Sequence, residues 1–412
     1  MKILLTNTGP WGTGSFTVAR ALLEEYLHMG HEAKLFFPDS KEPSNDLDYY
    51  YSHPELFEIW HLPIEKGELR LDSFPLMIPD PHPRNPIGKT YKELTEKELY
   101  FYFEAFRNRI SKVIETFKPD IIECQHIWAY DHIIDDLGYP FIAAAHHSDQ
   151  MGYRFDPRMR PIAKKSAHDA KFIFALSEEN KREILELYGV AANKVIILEN
   201  GYDRKMFHPF PVNKEELFEA HDLKIPKEAF LVTFAGKLSK TKGIDTLLQA
   251  NALIPEKEKI HFLVLGAGNL KEALKGASPD SYSTKQVHFL DHLMPKKVAE
   301  FHNASDITVM PSRTEGFGLS CLEAMGCGLP AIVTRCGGPE HYAVGEIIEK
   351  ENPEALAKAL LKMKRLPHNA YKALSNQAIE TAHHYSWTSN AKKRLHYYQK
   401  VIDETSKLKN VS

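Results

Sequence analysis

Short apolar runs alternate with amphipathic stretches along most of this chain. In the first half, runs with strand character occupy 2–6, 32–38, 120–125, 141–145, 171–177 and 194–201, and helical periodicity marks 16–30 and 96–117. In the second half, strand-like runs continue at 229–236, 261–268, 286–291, 306–311 and 331–334. Strands and helices that alternate at this spacing predict parallel sheets with helices on both faces. We therefore expect an α/β fold with two doubly wound, Rossmann-like domains.

A stretch rich in turn-forming residues separates the alternating strands and helices of the first half from those of the second half. The segment 200–212 (NGYDRKMFHPFPV) combines Gly, Asp, Asn and Pro, which favours a hinge. We predict a first domain at 1–203, a second domain at 204–382 and a final segment at 383–412 that contains one helix. Residues 39–100 are rich in Pro and aromatic residues and are predicted to be an irregular, variable insertion in the first domain.

Composition and charge exclude several classes of protein. Lys and Arg total 52 against 55 acidic residues, a balance that gives no electrostatic footprint for nucleic acid. The four cysteines form no CxxC pair, so neither a disulfide framework nor a zinc site is expected, and reduced thiols favour a cytoplasmic protein. No apolar run reaches the ~20 residues that span a bilayer. The basic segment 157–171 leaves peripheral contact with the inner face of a membrane open, with a solvated helix face as the alternative.

Ligands of doubly wound sheets bind at the carboxyl ends of the strands, so the loops there are candidate sites. After the strand 229–236 come Gly236, Lys237 and Lys242, and Gly243 opens the next helix. Cations beside a helix N-terminus suit a diphosphate, although a solvated lysine-rich turn explains the same residues. The loops that follow the first strand and the strand 261–268 lack the third glycine of GxGxxG, which argues against a nicotinamide dinucleotide.

Two glutamates stand eight positions apart in the segment 311–334 (PSRTEGFGLSCLEAMGCGLPAIVT). Glu315 precedes a predicted buried helix, and Glu323 lies about one turn inside it. A buried carboxylate needs a partner, and it can accept hydrogen bonds from two neighbouring hydroxyls, such as those of ribose or a hexose. The helix N-terminus between the two acids suits a phosphate. An ordinary helix-surface charge is the alternative for Glu323.

With these residues in place, the chain resembles the family 4 glycosyltransferases, the retaining group of the "glycosyl transferases group 1" type. The family's E-x7-E motif is matched by Glu315 and Glu323, and further similar segments are MGHEAKLF, KPDIIECQH, FIAAAHHSDQ, NGYDRKMFHP, FAGKLSKTKG and VLGAGNL. The resemblance implies the GT-B fold, in which two Rossmann-like domains face each other across a cleft. It also implies that the C-terminal helix packs back on the first domain.

The resemblance implies transfer of a hexose-type sugar from a UDP- or GDP-sugar to a hydroxyl acceptor. Glu323 is then expected to bind the ribose diol, and Glu315 to bind the donor sugar. Lys242 is expected to neutralise the departing diphosphate, and His146 to lie beside the reacting carbon, so catalytic roles fall to His146, Lys242 and Glu315. The implied donor contacts also include Gly12, Gly14, Gly236, Lys237, Gly266, Leu293, Gly316, Phe317, Gly318 and Leu319.

Retention of anomeric configuration and independence of metal are also implied, since lysines take the place of a metal at the leaving group. No cofactor and no metal site are therefore expected. The acceptor is expected to be a sugar, a lipid-linked compound or a small molecule, with His82, Arg84 and His147 as candidate contacts. A plain structured insertion is the alternative for the segment 82–91. Another GT-B enzyme, such as a nucleotide-sugar epimerase or a phosphorylase, and a non-catalytic sugar-nucleotide-binding protein are the alternative functions, and the oligomeric state is open.

Overall fold

A computed structural model describes residues 1–40, 48–80, 82, 84–85 and 87–409. The chain divides into two compact units: unit 1 comprises Met1–Asn200 together with the C-terminal segment from Trp387, and unit 2 comprises Gly201–Ser386. Across the part of the chain that the structure describes, no helix is both long enough and apolar enough to cross a membrane.

Unit 1 is built on a seven-stranded, wholly parallel sheet. Its strands are β1 (Lys2–Asn7), β2 (Glu32–Asp39), β3 (Phe57–His61), β6 (Ile121–Gln125), β7 (Phe141–Ala144), β8 (Ile173–Ala175) and β9 (Val195–Ile197), and the short antiparallel hairpin after β3 consists of β4 (Ile64–Lys66) and β5 (Leu69–Leu71). The strand order is β3-β2-β1-β6-β7-β8-β9. The central strands are buried along nearly their whole length, as expected for strands covered on both faces.

Helices cover both faces of this sheet. They are α1 (Gly14–His28), α2 (Asp48–Ser52), α3 (Glu96–Phe117), α4 (Ala129–Asp136), α5 (Ser148–Phe155), α6 (Arg160–Asp169) and α7 (Glu178–Tyr188). The sequence signals at their ends are standard ones: Thr95 and Glu98 form a capping box at the start of α3, and Gly189 ends α7 in the left-handed conformation.

The region 39–100 is more regular than its composition predicts. Strand β3 extends the sheet beyond β2, with Leu35 paired to Phe57 and Pro38 paired to Trp60, and the rings of Phe57 and Trp60 are buried. The prediction of an irregular insertion is therefore wrong for this strand and for the hairpin that follows it. Residues 41–47, 81, 83 and 86 of the region lie outside the described residues.

Unit 2 repeats the architecture with six parallel strands. They are β10 (Phe230–Ala235), β11 (Ile260–Leu265), β12 (Val287–Leu290), β13 (Ile307–Met310), β14 (Ala331–Thr334) and β15 (Gly345–Ile348), in the order β12-β11-β10-β13-β14-β15. The helices are α8 (Lys214–Glu219), α9 (Ile244–Ala252), α10 (Leu270–Ala273), α11 (Pro295–Ala304), α12 (Leu319–Gly326), α13 (Pro353–Lys364) and α14 (His368–His383). The two sheets confirm the predicted fold class, and the edge strand β15 is an addition to the predicted strands.

The C-terminal helix α15 (Trp387–Lys409) belongs to unit 1, as the resemblance implies. The hydroxyl of Tyr398 lies 2.8 Å from that of Tyr26 on α1, and Arg394 forms a fully buried ion pair with Glu123 on β6. The last helix of the chain is thus anchored beside the first helix and the centre of the first sheet.

Each sheet has one point at which its strand order reverses direction. In unit 1 this point lies between β1 and β6, and in unit 2 it lies between β10 and β13. Loops diverge there at the carboxyl ends of the strands and leave a crevice, which is where ligands of doubly wound sheets bind. We therefore expect the residues that bind a ligand to lie near these two points.

Candidate active site

Lys242 and Glu315 meet at the point of strand reversal in unit 2. Lys242 follows β10 and Glu315 follows β13, and the Lys242 ammonium lies 2.8 Å from each carboxylate oxygen of Glu315. Ser312 donates a further hydrogen bond to Glu315 Oε1 at 2.7 Å. The carboxylate is buried, whereas the side chain of Lys242 keeps 34% of its surface exposed. Two residues predicted separately, 73 positions apart, therefore form one charged pair at the crevice.

Gly243 explains how closely the two loops approach each other. Its φ is +73°, and it immediately precedes α9. A β-carbon at this position would overlap the backbone carbonyl of Pro311, which begins the Glu315 loop. Only glycine combines that backbone angle with that contact, so the residue permits the lysine loop to lie against the glutamate loop.

Arg313 joins the same two loops from the other side. Its guanidinium donates to both oxygens of Asp245 at 2.8 Å, and its backbone amide donates to the carbonyl of Thr241 at 2.8 Å. It also donates to the carbonyl of Lys240 and pairs with Glu351 at 2.9 Å. Sequence reasoning missed Arg313, although its place two positions before Glu315 was the available signal.

The turn between Glu315 and α12 is built from Gly316, Phe317 and Gly318. Gly318 has φ +87° and is the N-cap of α12. The hydroxyl of Tyr342 donates to the carbonyls of Phe317 and Gly318 at 2.9 and 2.6 Å, and the buried Phe317 ring packs against the Tyr342 ring. Leu319 begins the helix, and the N-terminus of α12 has no side-chain cap.

Glu323 lies in the second turn of α12, half-buried among the apolar residues that the sequence predicted there. Burial raises the pKa of its carboxyl to about 8, and the negative charge of Asp203 raises it further. Within the described ranges, the carboxyl forms no side-chain hydrogen bond or ion pair.

The loops after β10 and β11 touch at two glycines. Gly266 has φ +149°, and a β-carbon there would overlap the carbonyl of Gly236. Lys237 follows Gly236 in the same turn and is partly exposed. Leu293, which follows β12, instead packs against a separate apolar cluster that includes Leu217 and Phe301. The structure therefore brings Gly236, Lys237 and Gly266 to one edge of the sheet with Lys242, while Leu293 contributes to packing.

In unit 1, His126 occupies the corresponding point of strand reversal. Its Nδ1 lies 2.7 Å from the Thr8 hydroxyl, which follows β1, and its Nε2 lies 2.9 Å from the Ser148 hydroxyl at the start of α5. The backbone of His126 has φ +91°, a strained angle for a non-glycine residue that is often found at functional sites. Sequence reasoning did not single it out, although it directly follows the strand 121–125.

His146 follows β7 and lies beside His126, with the ring centroids 5.2 Å apart. Its backbone amide donates to Asp149 at 3.1 Å, and its Nε2 lies 2.7 Å from Gln125 Oε1. Burial lowers the pKa of His146 well below its usual range, and the neighbouring positive groups lower it further. His147 is placed differently: it has φ +70° and its Nδ1 lies 3.0 Å from Glu183.

The loop after β1 approaches one of the candidate acceptor residues. Gly12 has φ +89°, and a β-carbon there would lie 3.6 Å from His82 Nε2, while Gly14 begins α1. The guanidinium of Arg84 pairs with Asp39 at 2.9 and 2.5 Å, and both side chains are buried. His82 is thus close to the predicted phosphate loop, whereas the charge of Arg84 is directed to Asp39 at the end of β2. In the part of the chain that the structure describes, no group of three or more His, Cys, Asp or Glu side chains is arranged to hold a metal ion.

Two family models match the chain. One described as "Glycosyltransferase Family 4" matches residues 12–205, and one described as "Glycosyl transferases group 1" matches residues 215–381. The second match includes every residue of the Lys242–Glu315 site.

Individual proteins give the same picture. The D-inositol 3-phosphate glycosyltransferase of Thermobispora bispora is 23% identical over 349 residues, which are 78% of this chain and 80% of the relative. Sucrose-phosphate synthase from Thermosynechococcus elongatus superposes with a TM-score of 0.74 at 18% identity, over 98% of this chain and 100% of the other. HepE from Anabaena, in complex with UDP and glucose, superposes with a TM-score of 0.73 at 16% identity, over 97% and 100%. The likeness to the solved structures confirms the GT-B type of fold.

Proposed function

The chain belongs to the family 4, group 1 glycosyltransferases, and from that premise we propose that it transfers a hexose from a nucleotide diphosphate sugar to a hydroxyl acceptor. The observation that carries the proposal is the Lys242–Glu315 pair at the carboxyl ends of β10 and β13, with Glu323 one turn further along α12. A charge for a diphosphate, an acceptor for sugar hydroxyls and a second acceptor for ribose are then supplied by the loops that follow two neighbouring strands.

We propose that the ribose, the diphosphate and the sugar of the donor each contact a different group of residues in unit 2. The carboxyl of Glu323, which has no partner among the described residues, suits the two hydroxyls of ribose. The amides at the start of α12, with Lys242 and Lys237, suit the diphosphate. Glu315, with the turn at Gly316, suits the hydroxyls of the sugar. HepE, which has the same fold, was solved with UDP and glucose, so UDP-glucose is the first donor to test, and GDP-sugars are the second.

The proposed reaction retains the configuration of the anomeric carbon. The bond between the anomeric carbon and the phosphate oxygen breaks, and the acceptor oxygen forms its bond on the same face of the sugar. The departing phosphate oxygen takes the proton of the acceptor hydroxyl, so the products are the glycoside and the protonated nucleoside diphosphate. A preorganised ammonium beside the developing negative charge lowers the barrier most, and Lys242 is proposed for that role without a metal ion.

Unit 1 is proposed to provide His146 for the sugar and His82 for the acceptor. The backbone of His146 is fixed by Asp149, and its ring by Gln125, so a contact that it makes is preorganised. His82 receives a hydrogen bond at Nδ1 from the backbone amide of Arg84 at 3.0 Å, which leaves the proton of its neutral ring on Nε2, the atom nearest Gly12. Arg84 is accordingly proposed to support His82 rather than to contact the acceptor.

Product analysis tests the proposed function. A thermal-shift panel of UDP-, GDP- and ADP-sugars first selects the donor, and release of its nucleoside diphosphate is then measured with and without candidate acceptors, with excess chelator or with Mn²⁺. We expect release that depends on the acceptor and is unchanged by the chelator. Tight binding of a nucleotide sugar with no turnover by any acceptor would favour a binding protein, and activity restored by Mn²⁺ would overturn metal independence.

A further inference from the structure

A line of buried hydrogen bonds runs from His146 into the interior of unit 1. Gln125 Oε1 lies 2.7 Å from His146 Nε2, and Gln125 Nε2 lies 2.6 Å from an oxygen of Glu123. Glu123 and Gln125 are two positions apart on β6, so their side chains project from the same face of the sheet. Both side chains are buried, so water does not compete for these hydrogen bonds.

Residues of the C-terminal helix α15 bind Glu123, which lies at the end of this line farthest from His146. Arg394 donates to Glu123 Oε1, the Tyr398 hydroxyl donates to Glu123 Oε2 at 2.6 Å, and Arg394 is itself oriented by Asn390 Oδ1 at 2.7 Å. The three residues are spaced four apart, which places them along one face of α15. Because Glu123 forms a buried ion pair with Arg394, its oxygens only accept hydrogen bonds.

The direction of each hydrogen bond in the line then follows, starting from Glu123 and ending at His146. Because Glu123 only accepts, Gln125 must turn its NH₂ group toward it, and the carbonyl oxygen of Gln125 faces His146. A carbonyl oxygen also only accepts, so His146 must donate from Nε2. Burial lowers the pKa of His146 and keeps its ring neutral, so the ring has one N–H, at Nε2, and Nδ1 is an acceptor.

We propose that Gln125 is a positioning residue that fixes His146 in the Nε2–H tautomer, and that Glu123, held by Arg394, fixes the orientation of the Gln125 amide. The proposal rests on the proposed function in that it gives His146 its part in sugar transfer. A hydroxyl that contacts Nδ1 is then bound as a hydrogen-bond donor. Through this line, a helix at the far end of the sequence determines the chemistry of a residue that follows β7.

A purely structural role for these residues would leave the tautomer of His146 unchanged, and this difference is measurable. Protein labelled with ¹⁵N-histidine gives long-range ¹H–¹⁵N correlations that identify the protonated ring nitrogen, and the His146 signal is assigned by its loss in His146→Gln. In the parent, we expect a single form with the proton on Nε2. In Gln125→Met, which has a similar volume but no acceptor, we expect the Nδ1–H form to appear.

Two further variants act as matched controls. Gln125→Glu can donate a carboxylic proton to Glu123 and accept from His146, so it should restore the single Nε2–H form. Gln150→Met removes another fully buried amide of unit 1, which accepts a hydrogen bond from the Asn180 amide, and it should leave His146 unchanged. A parent protonated at Nδ1, or a Gln125→Met variant that keeps only the Nε2–H form, would overturn the proposal.

The proposed orientation of the Gln125 amide by Glu123 is tested by replacing Glu123 and Arg394 together. The double variant Glu123→Leu/Arg394→Leu leaves no unpaired buried charge, so it avoids the penalty of a single removal. With no carboxylate to orient it, the Gln125 amide can reverse, and we expect both tautomers of His146. A single Nε2–H form in the folded double variant would show that Glu123 does not orient Gln125.

Turnover of UDP-glucose separates this proposal from the proposed function. For Gln125→Met, we expect kcat for UDP release to fall by about tenfold or more at similar KM, since the wrong tautomer of a catalytic histidine lowers kcat strongly. If no nucleotide sugar is turned over by the parent while the tautomer changes as expected, the positioning role stands and the proposed function fails. If kcat falls while the tautomer does not change, the positioning role fails and the proposed function stands.

Discussion

The ammonium of Lys242 lies 2.8 Å from both carboxylate oxygens of Glu315, across the point at which the strand order of unit 2 reverses. The pair neutralises a buried carboxylate in the absence of ligand, and it holds the lysine within the crevice. A diphosphate that binds there competes with Glu315 for Lys242, while the hydroxyls of a sugar compete with Lys242 for Glu315. A nucleotide sugar therefore replaces the ion pair, with its diphosphate bound to Lys242 and its sugar hydroxyls bound to Glu315.

Lys242→Met should abolish most of the activity even when the donor is saturating. The charge that stabilises the departing diphosphate is lost, and removal of one such preorganised group typically lowers kcat by about 10²–10³-fold. The measurement is the rate of nucleoside diphosphate release at saturating donor. Lys240→Met is the matched control, since Lys240 lies in the same loop but directs its ammonium to the carbonyl of Lys275. Equal rates for the two variants would show that Lys242 has no special part in the reaction.

Substitutions of the two glutamates should impair different properties of the protein. Glu323→Ala should weaken binding of UDP by about tenfold, because the two ribose hydroxyls lose their partner and each hydrogen bond contributes about 0.5–1.5 kcal/mol. Glu315→Ala should leave UDP binding nearly unchanged and instead remove the extra affinity of UDP-glucose over UDP, together with turnover. Calorimetric titration of both ligands into both variants gives the four values that are needed. If both variants bind and turn over like the parent, the E-x7-E assignment is wrong.

Glu323 should also make the stability of the ligand-free protein depend on pH. Burial raises the pKa of its carboxyl to about 8, so the folded chain keeps this proton at pH values where the unfolded chain, with a pKa of about 4.3, has lost it. The folded state therefore binds more protons in this window, and stability falls as pH rises from about 4.5 to 8.

Glu323→Gln should remove this dependence. Relative to the parent, we expect the variant to be more stable at pH 8.5, where the parent carboxyl is ionised, and to show little difference at pH 4.5, where the folded parent keeps its proton. Parallel denaturant titrations at several pH values measure the gain, with Glu272→Gln, at an exposed site of the same unit, as the control. A gain that is the same at both ends of the range would contradict the assignment to this carboxyl.

Local sequence patterns predicted the parts of the structure that depend on neighbouring residues. The buried strands and the buried helix around Glu323 both follow from short-range spacing, and both are confirmed. Strand β3 was missed because its sequence, FEIWH, lies in a region rich in Pro and mixes charged with aromatic residues. Strand β15 was missed because it is short and has a glutamate in the second of its four positions.

Pairings between distant residues could not be predicted from the sequence. Arg394 and Glu123 are separated by 271 positions, and each resembles an ordinary surface charge until the fold buries both of them. Arg313 likewise looks like a loop cation, since nothing near it in sequence indicates Asp245. Only a motif already associated with the family brought Glu315 and Lys242 into one hypothesis, and their direct contact came from the structure.

The pair formed by Arg313 and Asp245 should control the position of Lys242. Arg313→Met and Asp245→Asn should each lower kcat, because the loop 240–245 loses its attachment to the Glu315 loop. The two changes should not add: a double-mutant cycle should give a coupling energy of about 1–3 kcal/mol in the activation free energy. Arg335→Met, which removes an exposed arginine paired with Glu349, is the control. Additive effects would place the two residues in separate roles.

Gly243→Ala should disturb the site through the backbone alone. The left-handed φ costs a residue with a β-carbon about 1–2 kcal/mol, and the overlap with the carbonyl of Pro311 forces the lysine and glutamate loops apart. Gly276→Ala is the matched control, since Gly276 has φ +89° with open space around it and should show the backbone cost without the separation. We expect both variants to lose thermal stability, but only Gly243→Ala to lose turnover, with a crystal structure showing a longer distance between Lys242 and Glu315. If turnover survives in Gly243→Ala, close approach of the two loops is not required for the reaction.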